Sequence, residues 1–288
     1  MTVKEGIKGF LEWKSSYLKS CKSYAVALKP VVDYYGQKDL KTFSVEDTTH
    51  LVSLMNEKYS RSTISYFLSV LKMFARYAHY SHIQTINPEL IKQRRSLLPV
   101  SRPYVTDEDL KKLCLEEDDR TFIGVRNITI LNMLYDTGAR ISELLSLTLE
   151  DLTDGQTNHA IIETKKNGNP RFIVWSKETH RKLQTYLALR ISRSYRTNML
   201  FINKKGAKLT PRGVQHLISY LRKKAGIKKP ITPHSFRHGK AHKMINQGAN
   251  IKEIGVVLGH SENNPKSALQ YLRLDAKETL KIAHKFVM

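Results

Sequence analysis

Five basic residues, Arg140, Lys166, His234, Arg237 and His260, precede Tyr271 in a chain of 288 residues. Together these are side chains that can surround one phosphodiester and let the tyrosine attack it. A phenolic oxygen that attacks phosphorus keeps the bond energy in a phosphate ester, so the strand can be resealed. Charge that builds on the non-bridging oxygens needs rigid donors. Arginine suits that task because its planar fork offers paired donors to phosphate oxygens. The departing sugar oxygen needs a proton, which histidine or lysine can deliver.

Each of these residues sits at an expected joint. Arg140 follows the bend Thr137-Gly138-Ala139. His234-Ser235-Phe236-Arg237-His238 opens a helix behind Pro233, where basic groups and free N–H donors suit an anion. Leu258-Gly259-His260 closes another helix, eleven residues before Tyr271. His238 reads as a supporting or packed residue and Tyr135 as a core residue. Taken alone, Tyr271 would also read as core, since Leu269 and Leu272 flank it.

The elements that hold these joints are mostly helical. Thr106 caps a helix whose acidic start, Asp107-Glu108-Asp109, suits the positive end. Further helices are predicted around 127–135, over 141–147, 177–192, 210–224, 235–247 and 251–258. Residues 160–164 and 171–175 flank the Asn167-Gly168 turn and predict a β-hairpin. Residues 3–92 read as short helices. One is ended by Gly36, one is capped by Ser44, and one behind Ser60 carries the stripe Ile64, Phe67, Leu68, Leu71, Phe74 and Ala75. The stretch 93–103 holds two prolines with Arg94, Arg95 and Arg102, which predicts an extended basic linker. The expected class is mainly α with a small β-hairpin (α+β). A helical module covers 1–95, a basic linker 96–103 and a second domain 104–288.

The formal net charge is +22, from 48 Lys plus Arg against 26 Asp plus Glu. A polyanion is the expected partner, nucleic acid first. No run of about 18 apolar residues exists to span a bilayer, and the N-terminal segment lacks a signal peptide's apolar centre, so no membrane partner is expected. Cys21 and Cys114 lie far apart and are expected as ordinary thiols in a reducing compartment, the cytoplasm being the simplest. No magnesium-type carboxylate cluster and no glycine-rich phosphate loop accompany the basic set, so no metal or other cofactor is expected.

Four stretches, in order, resemble the catalytic boxes of the tyrosine recombinases, the phage-integrase family. Tyr135-Asp136-Thr137-Gly138-Ala139-Arg140-Ile141-Ser142-Glu143-Leu144 resembles the first box, and His234-Ser235-Phe236-Arg237-His238 the His-x-x-Arg box. Leu258-Gly259-His260-Ser261 resembles the third, and Gln270-Tyr271 the nucleophile. The resemblance covers about 105–275. The N-terminal module is more loosely similar to the family's SAM-like core-binding domain, and the two-domain outline resembles Xer proteins and compact integrases of mobile elements.

The resemblance implies that Arg140 and Arg237 hold the scissile phosphate. It gives His234 a share in phosphate binding and proton transfer, and has His260 donate to the phosphate or steady the transition state. Tyr271 would form a 3′-phosphotyrosyl link and free a 5′-hydroxyl. The family's general acid is a hairpin lysine. Counting back from Arg171 in the Lys-Gly-x-x-x-Arg-like pattern gives Lys166, with Lys165 as the alternative, since hairpin neighbours face opposite sides. Glu143 matches an acidic position that supports the arginine. Two departures stand out: Asn167 replaces the usual glycine, and residues 261–266 lengthen the gap before Tyr271.

The implied partners are double-stranded DNA with paired recombination sites and three further copies of the chain, with an accessory protein as an option. Strand exchange would pass through a Holliday junction. The stripe Leu280, Ala283, Phe286 and Val287 fits a C-terminal helix passed to the neighbouring protomer, or packed on its own domain. The activity implied is site-specific recombination in integration, excision or dimer resolution. Two alternatives stand beside it: a catalytically inactive DNA-binding protein of the same fold, and a monomeric type IB topoisomerase.

Overall fold

The computed structural model describes residues 1–91, 102–152, 158–163, 170–193 and 195–259. Arg94, Arg95, Lys165, Lys166, the Asn167-Gly168 turn, His260, Tyr271 and the C-terminal stripe lie outside these residues. The chain divides into two units, Met1–Pro99 and Val100–Met288.

The first unit contains α1 (Val3–Ser15), α2 (Lys22–Tyr35), α3 (Val45–Asn56) and α4 (Arg61–Tyr80). Side-chain oxygens fix three of the starts. Thr2 and Glu5 form a capping box on α1, Ser44 and Asp47 do so on α3, and Ser60 caps α4. The helical spacing of Ile64, Phe67, Leu68, Leu71, Phe74 and Ala75 gives α4 a continuous apolar face, and all six are buried. Phe10 of α1 meets Phe74 edge-on at 5.8 Å, while Leu28 and Val31 of α2 close the core. α2 runs through Pro30, which supplies no N–H to the carbonyl of Val26. Val26 is exposed, so water can take the place of the missing donor.

The second unit is built around α6 (Phe122–Thr137), which is buried on nearly every side and packs against α5 (Asp107–Leu115), α8 (Lys177–Ile191) and α10 (Pro233–Asn246). α6 starts five residues earlier than its apolar spacing predicts, because Thr121 caps it through the Gly124 N–H. α7 (Ile141–Leu144) stops short of the predicted 147. The backbone beyond it pairs with the 198–200 segment instead: Leu149 N–H donates to Asn198 O and Leu200 N–H to Leu147 O, both at 2.8 Å.

β1 (His159–Glu163) and β2 (Pro170–Val174) form the antiparallel hairpin, with Ile161 opposite Phe172 and Ile162 opposite Arg171. Alternation buries Ala160, Ile162 and Ile173 and leaves Ile161, Phe172 and Val174 exposed. α9 (Pro211–Lys224) and α11 (Ile251–Leu258) complete the unit. The architecture is the expected one, mainly α-helical with one small hairpin. Among the described residues no helix is long and apolar enough to cross a membrane.

Candidate active site

Gly138 ends α6 in the left-handed region at φ 59° and returns its N–H to Leu134 O. A Cβ at this position would lie 2.6 Å from Leu258 Cδ2 and 3.2 Å from the Lys240 side chain. The backbone is thereby pinned two residues before Arg140. Arg140 opens α7, and Glu143 in the same turn fixes it. Glu143 accepts from the Arg140 N–H at 2.8 Å and from Arg140 Nη1 at 2.6 Å. Burial alone would raise the Glu143 carboxyl. The Arg140 N–H, the Arg140 guanidinium and the Arg171 charge outweigh it and hold the group below the usual carboxylate range. The Arg140 side chain stays 36% exposed, so its charge remains within reach of a ligand.

α10 begins with Pro233 at its first position and a Thr232–Ser235 capping box. Arg237, one turn in, is only 2% exposed. It donates from Nη1 to Gly138 O at 3.0 Å and from Nη2 to Leu258 O. His234 reaches solvent at the helix start. Its pKa is lowered, first by burial and then by the charges of Arg237, Arg140 and Arg102. Arg140, His234 and Arg237, predicted from separate stretches of sequence, thus share one neighbourhood, and the charge of Arg102 reaches it too.

His238 lies one turn beyond His234, with ring centroids 5.8 Å apart. Its pKa is pushed down to about 4 by burial, then by His234, Arg102, His242 and Arg237. An unfolded histidine titrates near 6.5. Between those values the unfolded chain binds more protons, so stability rises with pH. In urea unfolding, the contribution of His238 is expected to be complete above about pH 6.5 and lost as pH falls toward 4, with an amplitude of up to about 3 kcal/mol. His238→Gln is expected to flatten that limb. An unchanged limb in the variant would refute the assignment.

Sequence reasoning did not foresee the strap at residues 102–105. Val105 N–H donates to Ser235 O at 3.0 Å. Tyr104 stacks on His242 with centroids 3.9 Å apart and planes 12° apart. A Cβ on Gly239 would meet Val105 O at 2.3 Å, so the strap crosses α10 where only glycine fits. Arg171 was also missed as a site residue. It donates from Nη2 to Glu143 Oε2 at 2.9 Å and from Nη1 to Val257 O at 2.7 Å. The signal was present: an arginine at an inward position of a predicted strand.

Hydrogen bonds from Arg237 and Arg171 thus tie the Arg140 turn to α10, to β2 and to the end of α11, and comparison with known proteins says which family the chain belongs to. The model of the phage integrase family matches residues 103–278. The chain is 31% identical over 257 residues to tyrosine recombinase XerD of Listeria monocytogenes serotype 4b, covering 84% of each chain. It is 29% identical over 271 residues to tyrosine recombinase XerC of Bacillus pumilus, covering 91% of this chain and 88% of that one. Among solved structures, the Tn1549 transposon integrase in complex with a circular intermediate DNA matches with a TM-score of 0.78 at 20% identity, covering 99% of both chains. The chain belongs to the phage integrase family, and it is an enzyme of the tyrosine recombinase class, whose activity is site-specific DNA recombination.

Proposed function

We propose that Tyr271 cuts each DNA strand at a recombination site, leaving a 3′-phosphotyrosyl link and a 5′-hydroxyl, and that paired strand exchanges pass through a Holliday junction. The observation that carries this reading is the convergence of Arg140, fixed by Glu143, with His234 and Arg237 of α10. The phenolic oxygen of Tyr271 forms the new bond to phosphorus, and the 5′ oxygen leaves with its electron pair. Lys166, or its neighbour Lys165, gives that oxygen a proton. His234, its pKa lowered from 6.5, is neutral near pH 7 and able to accept the tyrosine's proton. Arg140 and Arg237 take the non-bridging oxygens, and His260 adds a donor. Religation reverses these steps.

The same reading divides the chain into a core-binding domain at 1–95, a linker at 96–103 and a catalytic domain at 104–288, with Arg94 and Arg95 at the end of the first and Arg102 in the linker meeting backbone phosphates. Four protomers assemble on two sites in the cytoplasm, each passing its C-terminal stripe to a neighbour. Similarity to Xer recombinases on one side and to a transposon integrase on the other supports both dimer resolution and integration or excision as the role of this activity.

With six to ten phosphate contacts, DNA affinity is expected to fall about 10³- to 10⁵-fold between 50 and 200 mM salt. A titration of duplex binding against salt checks this, and a flat response would sink the phosphate-contact assignment. The reading itself is tested by covalent trapping: nicked duplex oligonucleotides of randomised sequence are incubated with the protein, denatured, and the adducts sequenced. Adducts that share a motif support a site-specific nucleophile. Salt-sensitive binding without any adduct would overturn cleavage in favour of a DNA-binding role.

A further inference from the structure

Arg171 occupies a place where the strand pattern calls for an apolar side chain. It lies opposite Ile162 and points to the buried side of β2, at 9% exposure. An arginine there costs stability unless every charge and donor is matched. Two of its three nitrogens are matched, by partners on two other elements, while Nε is buried without one. Nη2 binds Glu143 of α7, and Nη1 binds the Val257 carbonyl at the end of α11. The stem lies against Gly259, where a Cβ would sit 2.5 Å from Arg171 Cδ and 2.6 Å from Nε. Gly259 itself is left-handed at φ 65°.

Two consequences follow from this placement. Arg237 takes the Leu258 carbonyl and Arg171 the Val257 carbonyl, so guanidinium groups hold the last two carbonyls of α11 from two different elements. Both guanidinium groups also lead back to the Arg140 turn, one through Glu143 and the other through Gly138 O. Glu143 is moreover one carboxylate shared by two arginines. Three charges therefore sum to a single positive charge. Without Arg171, the Glu143–Arg140 pair would be neutral and much less attractive to a phosphate.

The geometry points to Arg171 as a positioning residue for DNA cleavage: by sharing Glu143 it leaves Arg140 its charge for the phosphate, and by holding Val257 O it fixes the end of α11 at Gly259. This rests on the reading of Arg140 as a phosphate-binding residue.

The test uses the full chain and nicked duplexes from the randomised pool, with adduct formation followed in single turnover at saturating protein. Arg171→Met keeps the bulk and removes the charge. It is expected to lower the rate about 10²-fold while the half-saturating protein concentration moves by less than about threefold. Arg171→Lys should restore about tenfold of that rate. With one arginine gone, the Glu143 carboxyl titrates higher, so the acid limb of the rate profile should move up in Arg171→Met. Mere loss of packing would leave that limb where it is. Gly259→Ala, which keeps the charge and displaces the guanidinium, should also slow adduct formation, and it carries the test if Arg171→Met fails to fold. A native rate in either variant would overturn the proposal. So would equal losses in rate and binding, or an unmoved acid limb. Arg140→Gln runs alongside: if it forms adducts at the native rate, the phosphate-binding reading fails by itself, whatever Arg171 does.

Discussion

Tyr271→Phe is expected to bind DNA like the native protein and to form no covalent adduct, a loss of at least about 10⁴-fold in cleavage. The substitution removes one oxygen and keeps the ring, so a packing role for Tyr271 would survive it. Among the described tyrosines of the second unit, Tyr135 and Tyr186 offer poor substitutes, whereas Tyr104, Tyr195 and Tyr220 lie nearer the surface. Tyr135 is buried, and burial and Asp107 raise its hydroxyl above the ordinary range. Tyr186 is pushed up to about 12 by burial and donates to Leu200 O. Tyr104 stacks on His242 of the helix that carries His234 and Arg237. Adducts that persist in Tyr271→Phe would remove Tyr271 as nucleophile, and peptide mapping of those adducts should begin with Tyr104.

The second large effect is expected from Glu143→Gln. The side chain keeps its shape but loses the charge that two guanidinium groups share at 2.6 and 2.9 Å. Arg140 and Arg171 then repel each other across a neutral amide. Removing one partner of a buried charge network costs about 3–5 kcal/mol, and urea unfolding reads that directly. Cleavage should fall about 10²- to 10³-fold, because Arg140 is no longer held by two bonds in one turn. Glu143→Asp should recover part of the stability. Native stability and native cleavage in Glu143→Gln would mean that the carboxylate neither supports Arg140 nor offsets Arg171.

What could be read from the residues was whatever local chemistry decides. The apolar stripe of α4 announced its buried face, and Ser44, Ser60 and Thr106 announced helix starts through their caps. The convergence of Arg140, His234 and Arg237 was legible because the family spaces them in recognisable boxes. What was not legible depended on distant partners. α7 ends early because residues 147–149 pair with a segment some fifty positions away. The role of Arg171 depends on Glu143 and Val257, neither of which is near it in sequence. The strap was hidden for the same reason: nothing in Tyr104 or Val105 names α10 as its support.

That strap has a practical meaning for building hybrid recombinases. Residues 102–105 are bonded, stacked and fitted onto α10, across a glycine whose only substituent is hydrogen. They travel with α10 rather than with the module that precedes them. A graft of a foreign N-terminal module therefore has its natural seam upstream of Arg102. A splice placed between 102 and 106 would carry a stranger's backbone onto Gly239 and retune His234 and Arg237 without touching either.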